Sequence, residues 1–190
     1  NNHYGNNFQK IGECLRTEIL KRKADLCIVD NLMALDLSTF DMDKYEAQTR
    51  FVWELKDIAQ NCDVHIIFVA HPRKAMGFLR LDDVSGSGNI TNIVDNAFIV
   101  HRNNNDFRRL TKQMFGWKDQ GTDKHPAYSG TNVIEICKDR DGGIQDLFIP
   151  MWYEPETKRL RNNEYENIIY GWDKNDIDGF VDVDNAEIPF

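Results

Sequence analysis

The chain has 190 residues, 41% of them hydrophobic, and a formal net charge of -8, which is the size of one domain and enough to bury roughly two thirds of its unfolded surface. No apolar run approaches the ~20 residues of a membrane span, and Asn1 opens neither a secretory signal nor a transit peptide, so a cytosolic protein, or an organellar one after processing, is expected. From Arg161 onward eight acids face Arg161 and Lys174, so -6 of the -8 lies in the tail and the acidity does not by itself exclude a nucleic-acid partner of the near-neutral body.

Phe8, Ile11, Leu15 and Ile19 recur at helical spacing, predicting an amphipathic helix over Asn7 to Lys23, with Asn6 or Asn7 as N-cap and Lys21-Arg22-Lys23 at its end. A strand at Leu26-Cys27-Ile28-Val29 follows, stopping on Asp30-Asn31. After a loop to Asp43, Gln48, Phe51, Val52, Leu55, Ile58 and Ala59 define a second helix from Lys44 to Gln60. The run from Val64 then reads as a strand buried on both faces, ending on His71-Pro72-Arg73-Lys74. Strand, helix, strand with this crossover is a βαβ unit and implies a parallel pair.

Further on, a polar loop leads to Asp83-Val84-Ser85-Gly86-Ser87-Gly88, a short helical piece and a third strand at Ala97 to His101. Asn103 to Gly130, polar and rich in Asn, Lys and Gly, reads as an insertion or long loop. Val133 to Cys137 and Leu147 to Pro150 predict a hairpin whose turn carries Asp141-Gly142. Beyond about Leu160 the composition suggests a tail with little core of its own. Cys14, Cys27, Cys62 and Cys137 form no C-x-x-C pair and read as reduced and structural.

In open α/β sheets the ligand crevice lies outside the carboxyl ends of the strands, which puts Asp30 and His71 where chemistry can happen. A carboxylate at such an end holds Mg²⁺ or its water shell in nucleotide hydrolases, or simply caps a turn. His71 is a phosphate sensor or a surface group. Arg73 and Lys74 could contact a phosphate backbone or be solvated. Lys138-Asp139-Arg140, at a strand end, either presents cations to a neighbour's nucleotide or is an exposed hairpin turn. A metal site from Cys62, His65 and His71 is poor, because the two histidines lie at opposite ends of one strand.

The succession DLCIVDNL, VHIIFVAHPRK, DDVSGSGNITNIVDNAFIVHR, IEICKDRDGG and MWYEPETKRL resembles the C-terminal ATPase domain of hexameric replicative DNA helicases of the DnaB and Twinkle type, over roughly Phe8 to Leu160. The resemblance implies an α/β, RecA-like P-loop NTPase fold (its C-terminal portion), with a mostly parallel sheet, helices on both faces and a C-terminal β-hairpin. It divides the chain into a partial ATPase domain, 1–160, and an acidic tail, 161–190.

By residue, the resemblance makes Asp30 the Mg²⁺-associated acid and His71 the group coupling the γ-phosphate to the DNA loops. Asn92 falls where the family commonly has Gln. Lys138 and Arg140 match the pair supplied in trans to the neighbouring subunit's ATP, Arg140 being the arginine finger, and Arg102 with Tyr153 matches an adenine sandwich. Ser85, Gly86 and Gly88 match a DNA-backbone loop, with Arg73 and Lys74 beside it. The implied cofactors are ATP and Mg²⁺, the implied partners single-stranded DNA and a homo-hexamer, and the implied location the cytoplasm of a bacterial or phage-infected cell, or its nucleoid.

Two departures stand out. Ser85 replaces the family's usual Arg, so part of the DNA grip is absent or moved to Arg73, Lys74 or Arg80. No G-x-x-x-x-G-K-[ST] occurs, since no Gly is followed by Lys. The chain therefore resembles the second half of the ATPase domain, and negligible ATP turnover and an unsatisfied sheet edge are expected of it alone. The acidic end finishing in Phe190 resembles the tip of single-stranded DNA-binding proteins, implying docking to polymerase, primase or such a protein. Two alternatives stand beside this reading: a RecA-like recombinase or clock-type ATPase, and a non-hydrolysing interaction module.

Overall fold

The computed structural model describes residues 8–31, 44–72, 77–83 and 89–166. Helix α1 (Phe8–Arg22) leads into strand β1 (Leu26–Val29), then α2 (Lys44–Cys62) and β2 (His65–Phe68). These strands pair in parallel, Leu26 opposite His65 and Val29 opposite Phe68. The expected N-cap, most of the loop before α2, and the tail from residue 167 lie outside the described residues.

The helical stripes pack as their spacing predicts. Phe51, Val52 and Leu55 of α2 are buried against Ile11 of α1, with Val29, Ile66 and Phe68 beneath them, and Ile19 and Ile58 close a second cluster over Val64. Each such side chain contributes about 1.5–3 kcal/mol by leaving water. The helices approach so closely at Gly12 that a Cβ there would meet the Glu54 side chain at 2.7 Å.

The expectation that β2 is buried on both faces is not met. Exposure alternates along β1 and β2, because α1 and α2 pack on the same side of the pair. Leu26, Ile28 and Ile67 face outward, with Ile28 61% exposed.

After a 3-10 turn (Leu81–Asp83) come the short helix α3 (Asn89–Ile93), strand β3 (Asn96–Arg102), helix α4 (Asn105–Phe115) and a second 3-10 turn (Pro126–Tyr128). Strands β4 (Asn132–Asp139), β5 (Leu147–Glu154) and β6 (Arg159–Arg161) follow. Strands β3, β4, β5 and β6 form one antiparallel sheet in that order. Among the described residues, therefore, only β1 and β2 are parallel, and the mostly parallel sheet expected from the sequence is met for that pair alone. The expected hairpin is present as β4 and β5, longer than the apolar runs suggested and extended by β6.

The segment expected to be a long loop is instead ordered around α4. Asn104 accepts from the Phe107 amide as N-cap, and Gly116, at φ 68°, takes the left-handed position that ends the helix. The neck of the insertion closes where the Asn103 side chain donates to Gly130 O at 2.5 Å and the Asn103 amide to Thr131 O at 2.9 Å. Gly130 is required there, since a Cβ would lie 2.5 Å from the Met151 carbonyl oxygen.

Phe78, Phe107, Tyr128, Trp117 and Phe148 pack on one face of the antiparallel sheet around Val133. Inside this layer His101 and Glu135, both buried, meet at 2.6 Å, and Phe78 stacks on His101 at 4.8 Å. The opposite face carries Phe98 and Val100, each 60% exposed, alongside Leu147 and Ile149.

Candidate functional site

The parallel register of β1 and β2 brings the two chemically loaded strand ends together. Asp30 directly follows β1, and the Asp30–Asn31 peptide is cis. Asn31 Nδ2 lies 3.0 Å from His71 Nε2, and the Val69 amide donates to Val29 O at 2.9 Å, carrying the pairing past the strands. Asp30 and His71 are both exposed. Asn31 was missed in the sequence; its only signal was that it follows Asp30.

A second group assembles at the far end of α3. Lys138 Nζ donates to Thr91 O at 2.9 Å, Asn92 O at 3.3 Å and Val94 O at 2.8 Å. Arg140 reaches Asn92 O at 3.2 Å and Asp95 Oδ1 at 2.9 Å. Lys56, from α2, donates to Ile93 O at 3.0 Å and to Asp95 Oδ1 at 2.9 Å. A helix leaves its last carbonyls without intrahelical partners and carries partial negative charge at that end, and three cations supply what is missing here.

Electrostatics follow from this packing. The hydrogen bond from Lys56, aided by the nearby Arg140 and Lys138 cations, holds the Asp95 carboxyl below its ordinary value against the opposing effect of partial burial. Burial pushes the Lys138 amine down, and the Arg140 cation adds to this. Asn92 enters the group through its backbone oxygen. Lys56 was not singled out from the sequence; it lies 82 positions from Lys138, and backbone acceptors have no sequence signature, whereas Asp95 lies in the DDVSGSGNITNIVDNAFIVHR block that carries the resemblance, without a role implied for it.

Arg102 and Tyr153 sit at the other end of the antiparallel sheet. Arg102 opposes Asn132, which opposes Met151, and the Tyr153 amide donates to Thr131 Oγ1 at 2.6 Å. Both side chains are exposed. In the register, Asn96 at the start of β3 lies opposite Asp139, so the Arg102 end and the Arg140 end are about 20 Å apart along the strands.

Arg73, Lys74, Ser85, Gly86 and Gly88 lie outside the described residues. Arg80, offered as a substitute for the missing loop cation, is turned inward. Its guanidinium lies 3.7 Å from Glu135, 3.6 Å from Asp146 and about 6 Å from the rings of Phe78 and Phe115. No cluster of three or more potential metal ligands occurs among the described residues, and no helix among them is long and apolar enough to cross a membrane.

No known protein-family profile matches the chain. Over 65 residues, 32% of this chain, it is 35% identical to the Twinkle homolog protein, chloroplastic/mitochondrial, of Arabidopsis thaliana. Its fold matches a solved DnaB-like replicative helicase, described with its interactions with primase, at a TM-score of 0.58 and 16% identity over 81% of this chain. The match spans 9% of the first protein's length and 34% of the second's. The first is a likeness of sequence over about a third of this chain and the second a likeness of fold, and each spans only a fragment of the protein matched.

Proposed function

We propose that this chain is the second half of the ATPase domain of a hexameric replicative helicase, which hydrolyses ATP to move along single-stranded DNA and unwind duplex. The observation that carries the reading is the meeting of the β1 and β2 ends, where Asn31 joins the exposed Asp30 to His71. Residues 1–160 are the partial ATPase domain and 161–190 an acidic tail for replication partners.

The residues fit the implied cofactors in part. Asp30 is an exposed, hard oxygen donor of the kind that holds Mg²⁺ with water in its remaining positions. When bound, Mg²⁺ and ATP supply the charge neutralisation and the phosphoryl group of the reaction. Arg102 and Tyr153 offer a guanidinium plane and a ring for the base. The phosphate cradle is not in these 190 residues, so it comes from elsewhere in the complete protein.

In the ring, Asp30 would hold Mg²⁺ through water, and His71, hydrogen-bonded to Asn31, would couple the phosphate end to residues 73–88. Arg140 would meet the neighbouring subunit's nucleotide and stabilise charge on the transferring group. One subunit thus serves two nucleotides, with Arg102 and Tyr153 at one end of its sheet and Arg140 at the other.

In the complete protein, Arg140→Ala should abolish cooperative ATP turnover and leave nucleotide binding nearly intact. Turnover that survives the change would remove the finger assignment. Failure of the chain to bind ATP even with its native upstream sequence would select a non-hydrolysing interaction module instead.

A further inference from the structure

Arg140 is the first residue past β4, on a turn, and one residue holds it at both ends. The Arg140 amide donates to Asp95 O at 3.0 Å. Its guanidinium Nη1 meets Asp95 Oδ1 at 2.9 Å, while Nη2 donates to Asn92 O at 3.2 Å. Two acceptors on two different guanidinium nitrogens fix the plane of the group as well as its position. They occupy only part of a five-donor fork, and the side chain is 48% accessible, so Arg140 keeps N–H groups and open surface for an oxygen from outside the chain.

Asp95 is itself held. It lies in the short link between α3 and β3. Lys56 Nζ, on a side chain only 19% accessible, donates to Asp95 Oδ1 at 2.9 Å and to Ile93 O at 3.0 Å. Lys56 belongs to α2, the crossover between β1 and β2, so the grip reaches from the Arg140 turn to the element that joins those strands. The Lys56 hydrogen bond and the neighbouring Arg140 and Lys138 cations keep the carboxyl below its ordinary value, and Asp95 is therefore ionised at neutral pH.

Resting on the helicase reading for its functional part, we propose that Asp95 is a positioning residue for Arg140, steadied by Lys56, which sets the guanidinium in place before a neighbouring subunit's phosphate reaches it. A long cation on a turn spreads over many rotamers, and it stabilises a transferring group only from the right place. Ordering it in advance removes that cost from the reaction. The same contact has an opposite use, because carboxylate and phosphate both draw a guanidinium. If Asp95 withheld Arg140 rather than aimed it, loss of the carboxylate would raise turnover.

The test compares Asp95→Asn, close in size but uncharged, with Arg140→Ala and with the double variant in the complete protein. It reads Mg²⁺-ATP turnover, nucleotide binding and hydrogen–deuterium exchange over residues 139–143. Asp95→Asn should lower kcat about tenfold or more, with nucleotide affinity changed by less than about twofold. Added to Arg140→Ala, it should alter the residual turnover by less than about twofold, because it acts through a group already gone. A further fall in that background, or turnover unchanged or raised by Asp95→Asn alone, would overturn the proposal.

If Asp95→Asn does not fold, Lys56→Met takes its place, since it frees the carboxylate to turn. Its kcat should fall by about threefold or more, and the same outcomes would overturn the proposal. If the unsubstituted protein turns over no ATP, the helicase reading fails, and exchange decides the structural part. Asp95→Asn and Arg140→Ala should each speed exchange over 139–143 by about threefold or more, and the double variant no more than the faster of the two. Unchanged exchange in Asp95→Asn would show that Asp95 does not hold the turn.

Discussion

At the scale of single residues, environment separates groups that the sequence makes look alike. Burial and the charge of Glu135 push the Cys137 thiol up to about 12, and burial raises Cys27 as well. The thiolate is the nucleophile, so alkylation of the native protein at mildly alkaline pH should mark Cys137 last and modify it only on unfolding. Peptide mapping after iodoacetamide treatment checks this, and early modification of Cys137 would contradict it. Asp95 gives a second expectation. Its carboxyl is depressed in the folded state by the Lys56 hydrogen bond, so its stabilising contribution is present above the ordinary value of 3.8 and is lost as pH falls through the folded value. The side chain is 51% exposed, so solvent screens the effect and it is small. Asp95→Asn should flatten the acid side of the stability profile below pH about 4, measured by denaturant unfolding across the range. Asp30 and His71 were legible as strand-end residues, whereas Lys56 was not, because a long-range partner bound to a main-chain oxygen leaves no pattern in the sequence.

At the scale of elements, periodicity was readable wherever one helix face met one core. Helices α1 and α2 and strands β1 and β2 fall where their spacing puts them. Helix α4 was lost because cations and amides surround its apolar positions, although Asn104 before it and Gly116 after it were signals of its ends. Asn104→Ala should cost about 1 kcal/mol of stability through loss of the cap, seen as a lower unfolding midpoint, while Asn105→Ala should cost less. The outer faces of β1 and β2 were misjudged for a different reason. An unbroken apolar run shows that two faces want cover, but not whether this stretch of chain provides it.

At the scale of the whole molecule, the uncovered apolar faces of both sheets set its behaviour alone. Ile28, Phe98 and Val100 stand exposed on strands where hydrophobic groups are ordinarily covered. The isolated chain should associate as concentration rises, by sedimentation velocity, and Phe98→Lys with Val100→Glu should restore a smaller species. Association unaffected by those changes would place the contact elsewhere. The α/β character and order of elements were legible; the antiparallel majority among the described strands was not, since β3 has no sequence mark of which neighbour it pairs with.

The opposite placement of Arg102 with Tyr153 and of Arg140 on one sheet has a genetic consequence if the chain works in a ring. On the proposed roles, a subunit altered at Arg140 would keep its own Arg102 and Tyr153 and spoil the site next door, whereas one altered at Arg102 would spoil its own. In cells carrying normal and altered copies together, the first kind of allele would therefore act dominantly on healthy neighbours, and two alleles of opposite kinds could complement within a single mixed assembly.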